Sequence, residues 1–160
     1  MIIVEDGTVV DGANSYASVA QLLMYIMTRY PEDTITVPQC EALLLRTMPF
    51  IEQYNFKGYP VTPFHTVKWP RKDICFLPCV MWPEGKIPPQ LVEAQLSLSL
   101  GIHLEGDEAI TPPQNIRREK VGQVEVEFYS NGGVGTESVY QQQAIAALRP
   151  FTDYLRSIRV

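Results

Sequence analysis

The chain has 160 residues, 46% of them hydrophobic and 19% charged, which suits one globular domain with a packed core and excludes wholesale disorder. Thirteen Lys and Arg against eighteen Asp and Glu leave a formal net charge of −5, the wrong sign for a protein whose main ligand is a nucleic-acid backbone. No apolar run approaches the roughly 18 residues of a membrane span, and Met1-Ile2-Ile3-Val4 meets Glu5-Asp6 without a positive segment before it, so neither a membrane partner nor an export signal is expected.

Residues 1–17 are dense in Gly, Asn and Asp, a turn-forming composition that reads as an N-terminal arm. Ser18 followed by Gln21 has capping-box spacing, and Val19, Leu22, Leu23, Ile26 and Met27 recur at helical intervals, which predicts a helix from Val19 to Arg29. Thr36-Val37-Pro38-Gln39 is a second capping box with proline in the first turn, opening a helix from Val37 to Tyr54 that Pro49 should bend near Leu45. Residues 55–89 hold seven prolines, which forbid a long helix there. Trp69, Trp82 and the aliphatic run Ile74 to Met81 make this Pro-rich loop too apolar for a solvated linker, so it must pack.

Pro88-Pro89 opens a third helix. Leu91, Leu96, Leu98, Leu100, Ile102 and Leu104 spread around much of its circumference, which marks it as central. Within residues 115–135, Gln123 to Tyr129 alternates polar and apolar, the period of a strand, and no partner strand is evident in the chain. After the glycine-rich loop 131–135, Thr136 can cap a fourth helix in residues 136–160 carrying Val139, Ala144, Ile145, Leu148, Phe151 and Leu155, interrupted at Pro150. The fold expected is mainly α: residues 1–160 as one domain, a small bundle of about four helices with one β-strand or hairpin and long extended loops.

Chemistry has no evident seat. The pairs Glu5/Asp6, Glu32/Asp33 and Glu125/Glu127 read as solvated charge, neither histidine has a nucleophile motif beside it, and the glycine-rich loop lacks the spacing of a phosphate cradle. Cys75 and Cys79 with His65 or His103 match zinc spacing poorly, and with Cys40 they form an odd set suited to a reducing compartment. No enzyme, cofactor or metal is therefore expected. The candidates concern partners instead. Val124, Val126 and Phe128 form an apolar strand face that could pair with a neighbouring chain, and Leu148, Phe151 and Leu155 form a stripe that could dock on one, the intrachain bundle being its alternative. Trp69 should plug the chain's own bundle, leaving Trp82, Phe76 and Met81 partly exposed for a partner to cover. Arg117, Arg118 and Lys120 are the basic cluster, a candidate DNA contact or an ion-pairing face.

Several motifs occur in a familiar order. Val4-Glu5-Asp6-Gly7-Thr8, Gly12-Ala13-Asn14-Ser15-Tyr16, Ala42-Leu43-Leu44-Leu45-Arg46-Thr47, Trp69-Pro70-Arg71, Ile87-Pro88 with Ala94-Gln95, and Arg118-Glu119-Lys120-Val121-Gly122 with Val124-Glu125-Val126 together resemble the tailed-phage family of DnaT-like single-stranded-DNA-binding proteins. The chain departs from that pattern at Glu93 and in the more apolar segment Cys75 to Trp82. Members of the family resemble head-tail connector adaptors. The resemblance implies a non-enzymatic protein of the virion neck, assembled in the host cytoplasm as a homo-oligomeric, twelve-fold ring. Its implied partners are the portal protein, neighbouring adaptor subunits and a downstream neck or tail protein, with DNA passing through the channel without specific binding. The alternative is a single-stranded-DNA-binding replication accessory protein.

Overall fold

Both capping boxes form. In the computed structural model, which describes residues 1–77, 80–110, 119–121, 124–126 and 138–153, Gln21 Oε1 accepts from Ser18 N at 2.8 Å and Ser18 Oγ accepts from Gln21 N at 3.2 Å. This reciprocal pair satisfies amide groups that the first helical turn cannot bond, and it starts α1 (Val19–Arg29), which buries Leu22 and Ile26. At α2 (Val37–Glu52), Gln39 Oε1 accepts from both Thr36 N and Thr36 Oγ1, at 2.8 and 2.7 Å. This helix contains Pro49, ends at Glu52 rather than Tyr54, and buries Cys40, Leu43, Leu44, Met48 and Ile51.

Helix α3 (Pro89–Glu105) is the axis of the fold. Ten of its 17 residues are buried, including every position from Ala94 to Ile102, and α1, α2 and α4 (Val139–Leu148) all pack against it. One polar side chain in this apolar helix is fully used: Gln95 Oε1 accepts from Tyr16 N and Ala17 N at 2.9 and 2.8 Å, and Gln95 Nε2 donates to Ser15 Oγ and Leu44 O at 2.9 and 3.1 Å. Helix α4 lies close against α3 at Gly101, where a Cβ would stand 2.8 Å from Tyr140 Cβ. The fourth helix is shorter than the sequence suggests. Ser138 caps it, and after Leu148 the chain passes into a single 3₁₀ turn, Arg149–Phe151, because Pro150 has no N–H with which to continue. Thr136 and Leu155 lie outside the described residues.

Among the described residues the extended parts form three two-stranded antiparallel ladders: β1 (Tyr59–Pro60) with β2 (Arg71–Lys72), β3 (Cys75–Leu77) with β4 (Val80–Met81), and β5 (Glu119–Val121) with β6 (Val124–Val126). Strand β6 therefore has a partner in its own chain, contrary to the expectation, because Glu119–Val121 pairs with it in a hairpin register that sets Lys120 opposite Glu125. The two ladders of the Pro-rich loop bring Phe56, Val67, Trp69 and Ile74 into a core cluster with Met48, Ile51, Leu91, Leu98, Leu148 and Phe151. A second cluster joins Leu22 and Ile26 of α1 to Cys40 and Leu44 of α2 and to Leu96, Leu100 and Ile102 of α3.

Residues 1–17 are not a free arm. Glu5 N donates to Ser15 O at 2.8 Å and Asn14 N to Ile3 O at 2.9 Å, closing a loop whose Glu5, Ala13, Ser15, Tyr16 and Ala17 are buried.

Candidate partner surface

The Pro-rich loop is held at two places, and these pins decide what it presents outward. The first is built on Arg71. Its guanidinium donates to the backbone oxygens of Lys57 (2.8 Å), Phe56 (3.1 Å), Gly58 (2.7 Å) and Lys68 (3.3 Å), gathering both sides of the β1–β2 turn onto one planar group. Beside it, Tyr16 Oη donates to Glu52 Oε1 at 2.5 Å and accepts from Trp69 N at 3.3 Å, while Glu52 Oε2 accepts from Lys68 N at 3.0 Å. Burial, and then the adjacent Glu52 charge, push the Tyr16 phenol far above its ordinary value. Burial also raises the Glu52 carboxyl, against the opposing pull of its hydrogen bonds from Tyr16 and Lys68.

The second pin is Glu5. This carboxylate is 1% exposed; its Oε1 accepts from Gly7 N (2.8 Å) and Val9 N (3.1 Å), and its Oε2 accepts from Val10 N (2.9 Å) and lies 2.6 Å from His65 Nε2. Thr66 Oγ1 adds a bond of 2.8 Å to Ala13 O. A buried carboxylate is costly without such partners, so the solvated reading of Glu5 is corrected: the acidic turn curls around its own side chain. Gly7 serves the same turn. Its φ of +104° suits glycine alone, and a Cβ there would meet Gly85 O at 1.9 Å. Between Pro63 and the tethered His65, Phe64 stands 93% exposed, with Tyr59, Val80 and Met81 also on the surface.

The sequence-derived partner residues separate into three groups. Leu148 and Phe151 are buried, so the docking stripe expected of them is corrected: Phe151 stacks on Phe76 at 5.0 Å and meets Trp69 and Trp82 edge-on at 5.8 and 5.3 Å. Phe76 and Trp82 are half-buried walls of that cluster, Trp82 Nε1 donating to Lys86 O at 2.8 Å, whereas Met81 is 56% exposed. Val124 and Val126 lie on β6 of the hairpin, and Lys120 lies on β5. Phe128, Leu155, Arg117 and Arg118 fall outside the described residues. Sequence reasoning did not single out Phe64, whose only signal is an aromatic residue after a proline in a loop.

Three of the described cations turn inward, while Arg29, Arg46, Lys86 and Arg149 stay at the surface. Besides Arg71, Lys57 Nζ donates to Pro150 O and Lys68 Nζ to Tyr54 O, each at 2.8 Å. Arg46 pairs with Asp107, and Arg29 lies 3.5 Å over the Tyr25 ring. That last pair belongs to a cleft of about 500 Å³ lined also by Tyr30, Tyr140, Leu100 and Glu105, where the Tyr30 and Tyr140 hydroxyls lie 3.0 Å apart and the Tyr140 phenol is pushed up to about 12, first by that bond. Among the described residues, no group of three or more His, Cys, Asp or Glu side chains is placed to hold a metal ion.

Over residues 1–159 the sequence matches the family described as "Putative DnaT-like ssDNA binding protein". The chain belongs to this family. No curated protein and no solved structure matches it. Since the DnaT-like match covers both pins, the four helices and the hairpin, the inward use of Lys57, Lys68 and Arg71 is a feature of a DnaT-like chain.

Proposed function

We propose that this chain is a structural, non-enzymatic subunit of a tailed-phage neck: an adaptor that forms a ring between the portal and the next neck or tail component and lets DNA pass. The observation that carries this reading is the division of its side chains. Lys57, Lys68 and Arg71 are used on internal carbonyl oxygens, while Met24, Phe64 and Met81 are turned outward, a surface suited to being covered by protein rather than to following phosphates. An acidic chain around a channel also repels DNA uniformly and so lets it slide.

The second reading, a single-stranded-DNA-binding replication accessory, is the one the family's description favours. Its structural support is the tyrosine cleft beside Arg29, since aromatic rings with a neighbouring cation suit base stacking, although Glu105 on the cleft wall opposes a phosphate. Arg117, Arg118 and Lys120 would supply the backbone contacts. Titration of a labelled single-stranded oligonucleotide at several salt concentrations separates the readings. The adaptor reading expects weak binding with a shallow salt dependence. Binding whose logarithm falls with the logarithm of salt at about −0.7 per phosphate engaged, over several phosphates, would establish the second reading.

A further inference from the structure

Phe64 is the most exposed large apolar side chain described after the core is filled, at 93%, and it is held rather than loose. Pro63 precedes it, the Glu5–His65 contact and the Thr66–Ala13 bond follow it, and Val61 N donates to Pro70 O at 3.1 Å on the other side. A side chain fixed in this way loses little freedom when a partner covers it, which is the property of an interface anchor.

The same chain carries a receptacle of suitable chemistry. Between α1 and α3 lies a shallow cleft, open to solvent, lined by Ala20, Gln21, Met24, Tyr25, Thr28 and Leu96, with Arg29 on its wall. Leu96 is nearly buried there and Met24 is 68% exposed. Methionine is flexible and its sulfur makes favourable contacts with aromatic rings, so this lining can adapt to an entering phenyl group.

We infer that Phe64 of one chain inserts into the α1–α3 cleft of a second copy. The second copy is favoured as occupant by two observations. Knob and cleft share no residue, and Phe64 is solvent-exposed, so one chain does not fill its own cleft; after a contact forms, the pair retains one free knob on one copy and one free cleft on the other. That is the requirement for a heterologous, head-to-tail interface, which closes into a ring when the rotation permits. The charges also correspond. Asp6 and Asp11 are exposed on the loop that Glu5 and Ala13 tie to the base of the knob, and Arg29 flanks the cleft.

This inference rests on the ring reading and identifies its subunit contact. Sedimentation velocity over a concentration series, with wild type, Phe64→Ser and Met24→Glu, tests it. Both substitutions are at exposed positions, and unchanged melting temperatures verify that each variant folds. Wild type should self-associate, and each variant alone should associate on the order of 10- to 100-fold more weakly, the effect of withholding one buried phenyl group. Mixed in equal amounts, the variants should form a heterodimer and nothing larger, because Phe64→Ser keeps a cleft and Met24→Glu keeps a knob. Wild-type association that neither substitution alters, or a mixture that fails to pair, overturns the contact while leaving the ring reading in place. A wild-type chain that stays monomeric overturns the contact, and if it also binds oligonucleotide with a steep salt dependence, the ring reading falls with it.

Discussion

Replacing Glu5 with glutamine removes a charge without changing the side chain's shape. In the folded chain Oε1 accepts from Gly7 N and Val9 N, and Oε2 accepts from Val10 N and faces His65 Nε2. Whichever way the new amide is turned, its NH₂ points at one or more backbone N–H groups that had a carboxylate oxygen. A hydrogen bond to a charged group contributes about 1.5–3 kcal/mol, and a buried donor left without an acceptor costs about 1–3 kcal/mol. The residue is 1% exposed, so water cannot replace what is lost. A destabilisation of about 3 kcal/mol follows, or a fall of roughly 6–12 °C in melting temperature at 2–4 °C per kcal/mol for a chain of this size. Glu5→Ala, which orphans all three N–H groups, should cost about 5 kcal/mol. Thermal unfolding followed by far-ultraviolet circular dichroism gives the shift, and amide hydrogen exchange shows whether Val10 N loses protection. A Glu5→Gln protein that melts within about 2 °C of wild type with Val10 still protected would refute the reasoning.

Trp69→Ala should cost about 3–5 kcal/mol in chemical denaturation, because the ring is fully buried between Phe56 and Phe151; Trp82→Ala should cost less but still measurably destabilise the monomer, since it too packs edge-on against Phe151. Equal costs would show that the half-exposed ring is as deep in the core as the other. Gly101→Ala should lower stability by about 1–3 kcal/mol by forcing α4 away at Tyr140, and a neutral result in the same measurement would mean that the helices part without resistance. Tyr16 keeps its proton in the folded chain above the pH at which an unfolded tyrosine loses it, so the folded state binds the extra proton; stability should therefore decline as pH rises past about 10, and Tyr16→Phe should flatten that decline in pH-dependent urea unfolding.

The helices were legible in the sequence where local chemistry decides them. Ser18-Gln21 and Thr36-Gln39 mark two N-termini, Pro88-Pro89 marks a third, and the apolar circumference of α3 reveals its central place. The N-terminal turn and the partner surface were not legible for a common reason. Glu5 and Asp6 are neighbours of the same charge, and the closure of the turn over residues 7–10 together with the distant His65 decides that one turns inward while the other stays at the surface. Phe64 is likewise one aromatic residue among several in the Pro-rich loop; its exposure follows from the pins at Arg71, which gathers the loop's own backbone, and at His65, which meets Glu5 60 residues away. The stripe of Leu148 and Phe151 was visible as apolar, but periodicity does not say whether such a stripe meets its own chain or another.

The four bonds of Gln95 bear on a freedom that an apolar central helix would otherwise have. Hydrophobic burial has no direction, and a cylinder greasy on nearly every side loses little when it turns about its own axis inside a matching sleeve. Gln95 removes that freedom. Its amide is satisfied only at one angular setting, with the carbonyl toward Tyr16 and Ala17 and the nitrogen toward Ser15 and Leu44. Any rotation would break these four bonds in a dry interior, so α3 behaves as a keyed shaft whose leucines supply adhesion and whose Gln95 amide supplies the angle. Gly101 then faces Tyr140 at the setting that Gln95, six residues earlier, holds, and α4 packs on α3 at that bearing.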